Sequence, residues 1–169
     1  MGKRVICEDL LDRPDAVDQI AKWLHDEWSV FSGRTYLETH ARFNEGIVKG
    51  QLPISLVASL ADDRKVAGVA SLRATDSVDW LPGATPWICN VYVPERARGL
   101  GIATSLCIDL HARALELGHG TVHLATSAVD SLYHRLGYRQ IARQTHGGTP
   151  YFILALDLEA GAQLDSSAR

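Results

Sequence analysis

The sequence predicts one mixed α/β domain, and three observations carry that prediction. The chain has 169 residues, 46% of them hydrophobic, with no internal repeat and no domain linker, which suits one domain with a sizeable core. Strand-like and helix-like runs alternate only in part, and a hairpin pattern recurs at the carboxyl end, so a mixed sheet is favoured over a doubly wound parallel one. Finally, an apolar strand ends at Pro94 and leads through a glycine-bearing loop into an amphipathic helix.

Arg4 to Glu8 reads as a short strand. Asp12 through Pro14 open a helical pattern in which Val17, Ile20, Ala21, Leu24 and Trp28 recur at three and four residues. Ser32-Gly33 interrupts it. Thr35 and Glu38 have capping-box spacing, and the helix they open is expected to turn Leu37, Ala41, Ile47 or Val48 inward. After Pro53, Ile54–Leu60 and Val66–Leu72 are β-prone and flank a turn at Asp62-Asp63, which predicts a hairpin. Residues 73–86 have loop composition, with Trp80 embedded and Trp87 at their edge.

Trp87–Val93 is the next predicted strand. The helix beginning at Gly99 places Ile102, Leu106, Leu110, Ala114 and Leu117 on one stripe, with Asp109 and Arg113 at i,i+4 spacing on the outside. Gly118 and Gly120 stop it. Val122–Ala125 follows as a strand, then about two helical turns over Val129–Leu136, ended by Gly137. Tyr138–Thr145 and Tyr151–Asp157 flank His146-Gly147-Gly148-Thr149, the pattern of an antiparallel hairpin. The domain is therefore assigned to residues 1–157, with 158–169 expected to be a frayed tail.

Composition narrows the function. A formal charge of -3 argues against nonspecific nucleic-acid binding as the main activity, and no apolar run is long enough to cross a bilayer. Cys7, Cys89 and Cys107 lie far apart in apolar runs, read as reduced core residues in a cytoplasmic setting. Nothing calls for a metal.

The stretch with the most chemistry is Asn90–Thr104. A strand, a short basic loop and two glycines before a helix leave several N–H groups at the helix start without intrahelical partners, facing the space beyond the strand. This is the geometry of an anion site. Gly99 and Gly101 allow close approach of the main chain, while Arg96 and Arg98 add positive charge. The Walker A lysine and the third glycine of a dinucleotide fingerprint are absent.

Val91-Tyr92-Val93-Pro94-Glu95-Arg96-Ala97-Arg98-Gly99-Leu100-Gly101 resembles the acetyl-coenzyme A motif of the GCN5-related N-acetyltransferase (GNAT) superfamily. Its core is Gln or Arg, two variable residues, Gly, one variable residue, then Gly or Ala; Arg96, Gly99 and Gly101 match. Leu132-Tyr133-His134-Arg135-Leu136-Gly137-Tyr138 resembles the second signature, with a tyrosine four residues before a glycine-aromatic pair. The two occur in family order, one helix and one strand apart.

The resemblance implies a mostly antiparallel sheet flanked by helices, with a splay between the two central parallel strands, and acetyl-coenzyme A as cofactor. It assigns the pyrophosphate to the amides of Arg96, Ala97, Arg98, Gly99, Leu100 and Gly101, with Thr104 as a side-chain donor one turn on and Ile102 and Ala103 between them counted in the cofactor site. Val91 and Val93 become main-chain partners of the pantetheine arm. Thr126 stands where many relatives carry an asparagine that contacts the same arm. Tyr133 takes the position of the general acid that protonates the departing thiolate, its ring against the cofactor.

The expected reaction is acetyl transfer to the primary amine of a small molecule or a peptide N-terminus. The strand glutamate of some relatives has no counterpart in Trp87-Ile88-Cys89-Asn90, which leaves His123, His119 or His134, or a water held by Asn90 and Ser127, as base. Trp28, Phe31, Tyr36, Asp76, Asp79, Trp80 and Tyr151 are expected to line the acceptor side, a mix that suits a cationic or amphipathic amine. The alternative is a non-catalytic acyl-coenzyme A sensor, distinguished by whether an open path joins Tyr133 to the acceptor side. The resemblance and the edges of the carboxyl-terminal strands are also compatible with a homodimer.

Overall fold

The computed structural model describes residues 4–128 and 132–160. Its strands are β1 (Val5–Asp9), β2 (Ile54–Leu60), β3 (Val66–Arg73), β4 (Trp87–Tyr92), β5 (Thr121–Thr126), β6 (Arg139–His146) and β7 (Thr149–Asp157). The helices are α1 (Val17–Ser32), α2 (Tyr36–Asn44), α3 (Ile102–Glu116) and α4 (Leu132–Arg135). The seven strands form one open sheet in the order β1-β2-β3-β4-β5-β7-β6, with every neighbouring pair antiparallel except β4 and β5. The expected mixed sheet and its central parallel pair are both present.

Strand alternation divides the core between two faces. Leu56 and Ala58 of β2 join the cluster under α3, while Val57 between them joins the cluster under α1. On the first face, Ile102, Leu106, Leu110 and Ala114 of α3 are fully buried, which stabilises the fold by about 1.5–3 kcal/mol for each large side chain. Gly68 lets the helix sit directly on β3, since a Cβ there would come within 2.7 Å of Ile102 Cγ2. On the second face, Ile20 and Leu24 of α1 pack with Phe43, Val57 and Val69.

The capping box of α2 is formed, with Thr35 Oγ1 accepting from Glu38 N and Glu38 Oε2 accepting from Thr35 N. Its buried stripe differs from the expected one. Leu37 is 76% exposed and Val48 52%, Ala41 is also exposed, and Phe43 is the buried residue at 2%. The helix stops at Asn44, and the larger ring of Phe43 sets its rotation, with Tyr36, Thr39 and His40 half-buried on the same side. This rotation also turns Arg42 toward the cavity described below. The exposed partner of Arg113 is Glu116, at 3.5 Å, and the Asp109–Arg113 pair is not formed.

Trp80 and Trp87 are buried anchors with satisfied indole N–H groups. Trp80 Nε1 donates to Asp76 Oδ2 at 2.8 Å, and Trp87 Nε1 to the Ala84 carbonyl at 2.7 Å. Together with Ile153 they form a third cluster that ties the 74–86 loop to the second half of the sheet. At the carboxyl end, Gly147 and Gly148 have φ of 56° and 79°, the left-handed pair that a two-residue hairpin with native twist needs. Leu158, the first residue assigned to the tail, is buried in the α3 cluster, and its N–H donates to the Gly120 carbonyl at 2.8 Å. Residues 161–169 lie outside the described residues, as do 129–131 of the predicted Val129–Leu136 helix.

Candidate functional site

The site begins where two parallel strands stop pairing. Trp87 and His123 are in register across β4 and β5, and no further pair joins these strands among the described residues. The cause lies in β4. Ser71 faces Cys89 and Val69 faces Tyr92, so Asn90 and Val91 together oppose one residue of β3, a β-bulge that turns the strand. Asn90 takes φ of +55°, a conformation asparagine tolerates better than most residues. Its Nδ2 donates to Ser71 Oγ at 3.2 Å, and Ser71 Oγ lies 2.8 Å from Ser55 Oγ, a polar chain that fixes the bulge from inside the sheet.

A cavity of about 350 Å³ occupies the resulting splay. One wall comes from the strand ends and the segment after β5, with Asn90, Val91, Thr126, Ser127 and Tyr133. The other comes from α1, α2 and the 73–86 region, with Trp28, Phe31, Asp76 and Trp80, joined by Tyr151 from β7. Tyr36 and Asp79 are absent from the lining; the Tyr36 ring instead meets His25 and His40.

Past β4, the chain turns through a 3-10 segment at Glu95–Ala97 before α3. Two of the amides expected to be available there are spent within this turn: Ala97 N–H donates to Pro94 O at 2.8 Å and Arg98 N–H to Glu95 O at 3.2 Å. Ala97 is a buried packing residue, and the Arg98 guanidinium clamps the strand end through Nε to the Val93 carbonyl at 3.0 Å. The open donors are the N–H groups of Gly99, Leu100, Gly101, Ile102, Ala103 and Thr104, none of which finds an acceptor among the described residues. Gly99 and Gly101 both have φ of +77°, and a Cβ on either would meet nothing within 4 Å. The cradle is open on its outer side and fits a diphosphate. Arg96 stands beside it, exposed, at the edge of a second cleft shared with Arg64 and Lys65.

Tyr133 sits in the first turn of α4, its ring edge toward Tyr138 at 5.9 Å. Burial, with a smaller contribution from nearby Cys107, holds its phenol well above the usual tyrosine range. It is therefore fully protonated at neutral pH. Its hydroxyl has no hydrogen-bond partner among the described residues, which leaves the proton free for a ligand in the cavity. Thr126 lines the same wall, where its Oγ1 accepts from Ala128 N at 3.1 Å. Cys89 also lines the cavity, but burial pushes its thiol far up, so it is no thiolate nucleophile.

The histidines fall elsewhere. His123 lies at the closed end of the parallel pair, its ring 5.4 Å from Trp87 and its Nδ1 3.2 Å from the Pro86 carbonyl. Ala125, on the same face of β5, lines the cavity, but His123 does not, because it sits at the end where β4 and β5 are still in register, short of the splay. His119 follows α3 in the turn before β5, and His134 is exposed on α4; neither lines the cavity. The carboxylates that do are Glu27 and Asp76.

Three further lining residues had no place in the expected site: Arg34, between α1 and α2, Arg42 of α2 and Arg73 at the end of β3. All three are half-buried. Burial lowers the Arg34 pKa, and the positive charges of Arg42 and Arg73 lower it further, against opposing contributions from Glu38 and Asp76. A helical wheel phased on Phe43 instead of Leu37 would have drawn attention to Arg42. Arg34 and Arg73 carried no local signal.

Comparison with known proteins agrees with this geometry. The fold is similar to aminoglycoside 6'-acetyltransferase type Ii, with a TM-score of 0.70 and 19% identity over 90% of this chain and 97% of that one. A GCN5-related N-acetyltransferase from Kribbella flavida gives 0.67 and 23% over 90% and 97%. An aminoglycoside 6'-N-acetyltransferase complexed with coenzyme A gives 0.66 and 17%, over the same shares. No curated protein matches the sequence. A family model described as acetyltransferase (GNAT) family matches residues 17–138, a span that runs from the start of α1 past both motifs. Acetyl-coenzyme A is the cofactor of that family, and the open cradle at Gly99–Thr104 fits it. The chain belongs to the GNAT acetyltransferase family.

Proposed function

We propose that this protein transfers an acetyl group from acetyl-coenzyme A to a primary amine. One observation carries the reading: a continuous cavity is lined by Val91, Thr126 and Tyr133 on the cofactor side and by Trp28, Phe31, Asp76 and Tyr151 on the acceptor side. A coenzyme sensor would have no use for a second, chemically distinct wall facing the same opening.

Acetyl-coenzyme A supplies the activated acyl group. The amides of Gly99 to Thr104 bind its diphosphate, helped by the positive end of α3. The edge of β4 beyond Trp87 orients the arm through main-chain groups at Val91, while the Val93 carbonyl is already engaged by Arg98. The bulge at Asn90–Val91 frees main-chain groups from β3, and an amide there is the donor placed to meet oxyanion charge in the splay. Tyr133 gives its phenolic proton to the departing sulfur. The acceptor amine loses its proton to water or to a cavity carboxylate, since no histidine lines the site among the described residues.

The test is mass spectrometry of products after the protein is incubated with acetyl-coenzyme A and a library of amines and short peptides. An acceptor heavier by one acetyl group supports the reading. Tight coenzyme binding with no acetylated product from any amine class would favour the sensor.

A further inference from the structure

Arginines are handled in two ways in this molecule. Arg13 is almost fully buried, and every arm of its guanidinium is occupied: Nη1 donates to Glu8 Oε2 at 3.1 Å and to Ser59 Oγ at 2.9 Å, while Nε and Nη2 hold Asp15 at 3.0 and 2.9 Å. That is a structural arginine with its charge compensated. Arg34, Arg42 and Arg73 are the opposite case. They come from three different elements, converge on one cavity, are half-buried, and form no ion pair or side-chain hydrogen bond among the described residues.

Placing three like charges around a partly desolvated space is unfavourable unless something of opposite sign enters it. The carboxylates nearby supply it only in part: Glu38 and Asp76 oppose the lowering of the Arg34 pKa from a distance, and neither forms an ion pair with any of the three among the described residues. Glu27 is exposed, and Asp76 already accepts from Trp80 Nε1 at 2.8 Å and from Ser77 N at 2.6 Å, with no arginine within ion-pair distance. The aromatic and acidic residues expected from the sequence would have drawn a cationic or amphipathic amine. Three guanidinium groups reverse that preference, and their forked donors match an oxyanion.

We infer that the acceptor is a small amine that also carries an oxyanionic group, a carboxylate or a phosphate, held by Arg34, Arg42 and Arg73. This rests on the acetyl-transfer reading above. The cavity, at about 350 Å³, is near the lower end for small-molecule sites. It suits an amino-acid-sized body between the aromatic walls, with its ammonium toward Asp76 and its anion toward the arginines.

The test compares matched acceptors on the intact protein with acetyl-coenzyme A: phenylalanine, phenylalanine amide and phenethylamine in one arm, 2-aminoethyl phosphate and ethanolamine in the other. The anion-bearing member of an arm should show kcat/KM at least tenfold above its neutral or cationic counterparts, and the responding arm identifies carboxylate or phosphate. Arg73→Gln should raise KM for that acceptor by about 10–100-fold, the loss expected for charge-assisted bonds, and change the neutral partner less than twofold. Acetylation of the neutral or cationic members at equal or greater efficiency would overturn the inference and leave acetyl transfer standing. If no amine is acetylated, calorimetry of phenylalanine and 2-aminoethyl phosphate on the coenzyme-loaded parent and R73Q proteins decides separately. Binding that weakens tenfold in R73Q sustains the anion site, and absence of binding by both anions removes it.

Discussion

Trp87 and His123 mark the hinge of the splay: they are in register across β4 and β5, their rings 5.4 Å apart, and the strands beyond them diverge around the cavity. A residue on this side of the hinge supports the site without reaching it. Replacing His123 by Gln should therefore leave kcat within about threefold while lowering thermal stability, because the packing on Trp87 is lost. Steady-state kinetics beside a melting curve checks this; a hundredfold loss of kcat in a protein of unchanged stability would put His123 back in the chemistry.

Gly99→Glu should remove coenzyme binding while leaving the fold. Its Cβ would enter open space, so the folding cost is the left-handed backbone, about 1–2 kcal/mol. A carboxylate beside the diphosphate adds steric conflict and repulsion, and affinity should fall by at least ~30-fold. Calorimetry with coenzyme A reads it directly, and equal affinities in the two folded proteins would contradict the cradle.

Ser71→Ala should destabilise the bulge. It strips the partner from both Ser55 Oγ and Asn90 Nδ2, and leaving buried polar groups unpaired costs about 1–3 kcal/mol. Chemical denaturation measures it. A change below about 0.3 kcal/mol would mean that another group or water replaces the hydroxyl.

Acid should weaken the fold through His111. Burial lowers its pKa to about 4, while in the unfolded chain it titrates near 6.5. Below 6.5 the unfolded state binds a proton that the folded state refuses, so stability falls as pH drops from 6.5 toward 4 and the contribution levels off below that. Its partner is the Tyr138 hydroxyl, 2.8 Å from Nε2. Unfolding free energies measured across this range should slope less steeply in H111Q than in the parent protein; identical slopes would show that His111 titrates normally in the fold.

The framework of the protein was legible because it is encoded locally. The Thr35–Glu38 capping box, the Ile102-Leu106-Leu110-Ala114 stripe and the Gly147-Gly148 hairpin each specify their element within a few residues. The cradle at Gly99–Gly101 was legible for the same reason, although sequence could not show that the Ala97 and Arg98 amides close their own turn. What escaped depends on contacts between distant segments. The rotation of α2 is set by Phe43 reaching Val57 and Val69, and with it went the position of Arg42. Trp80 was expected on the acceptor side, and it is a buried core anchor that also forms part of the cavity wall. His123 sits on an apolar strand beside the site in sequence, and only the register with Trp87 reveals which end of the splay it occupies.

The central claim is that the cavity is a place of acetyl transfer with Tyr133 as proton donor to the leaving sulfur. Because burial holds its phenol above the ordinary range, ionisation of Tyr133 should produce no alkaline loss of rate below pH 10. The most direct measurement is single-turnover acetyl transfer by the parent protein and Y133F, with coenzyme A affinity measured on both. The expected result is a ~10²–10⁴-fold slower chemical step with affinity unchanged within about twofold, since the ring and its packing on Tyr138 remain. Transfer within twofold of the parent, with chemistry shown to be rate-limiting, would contradict it.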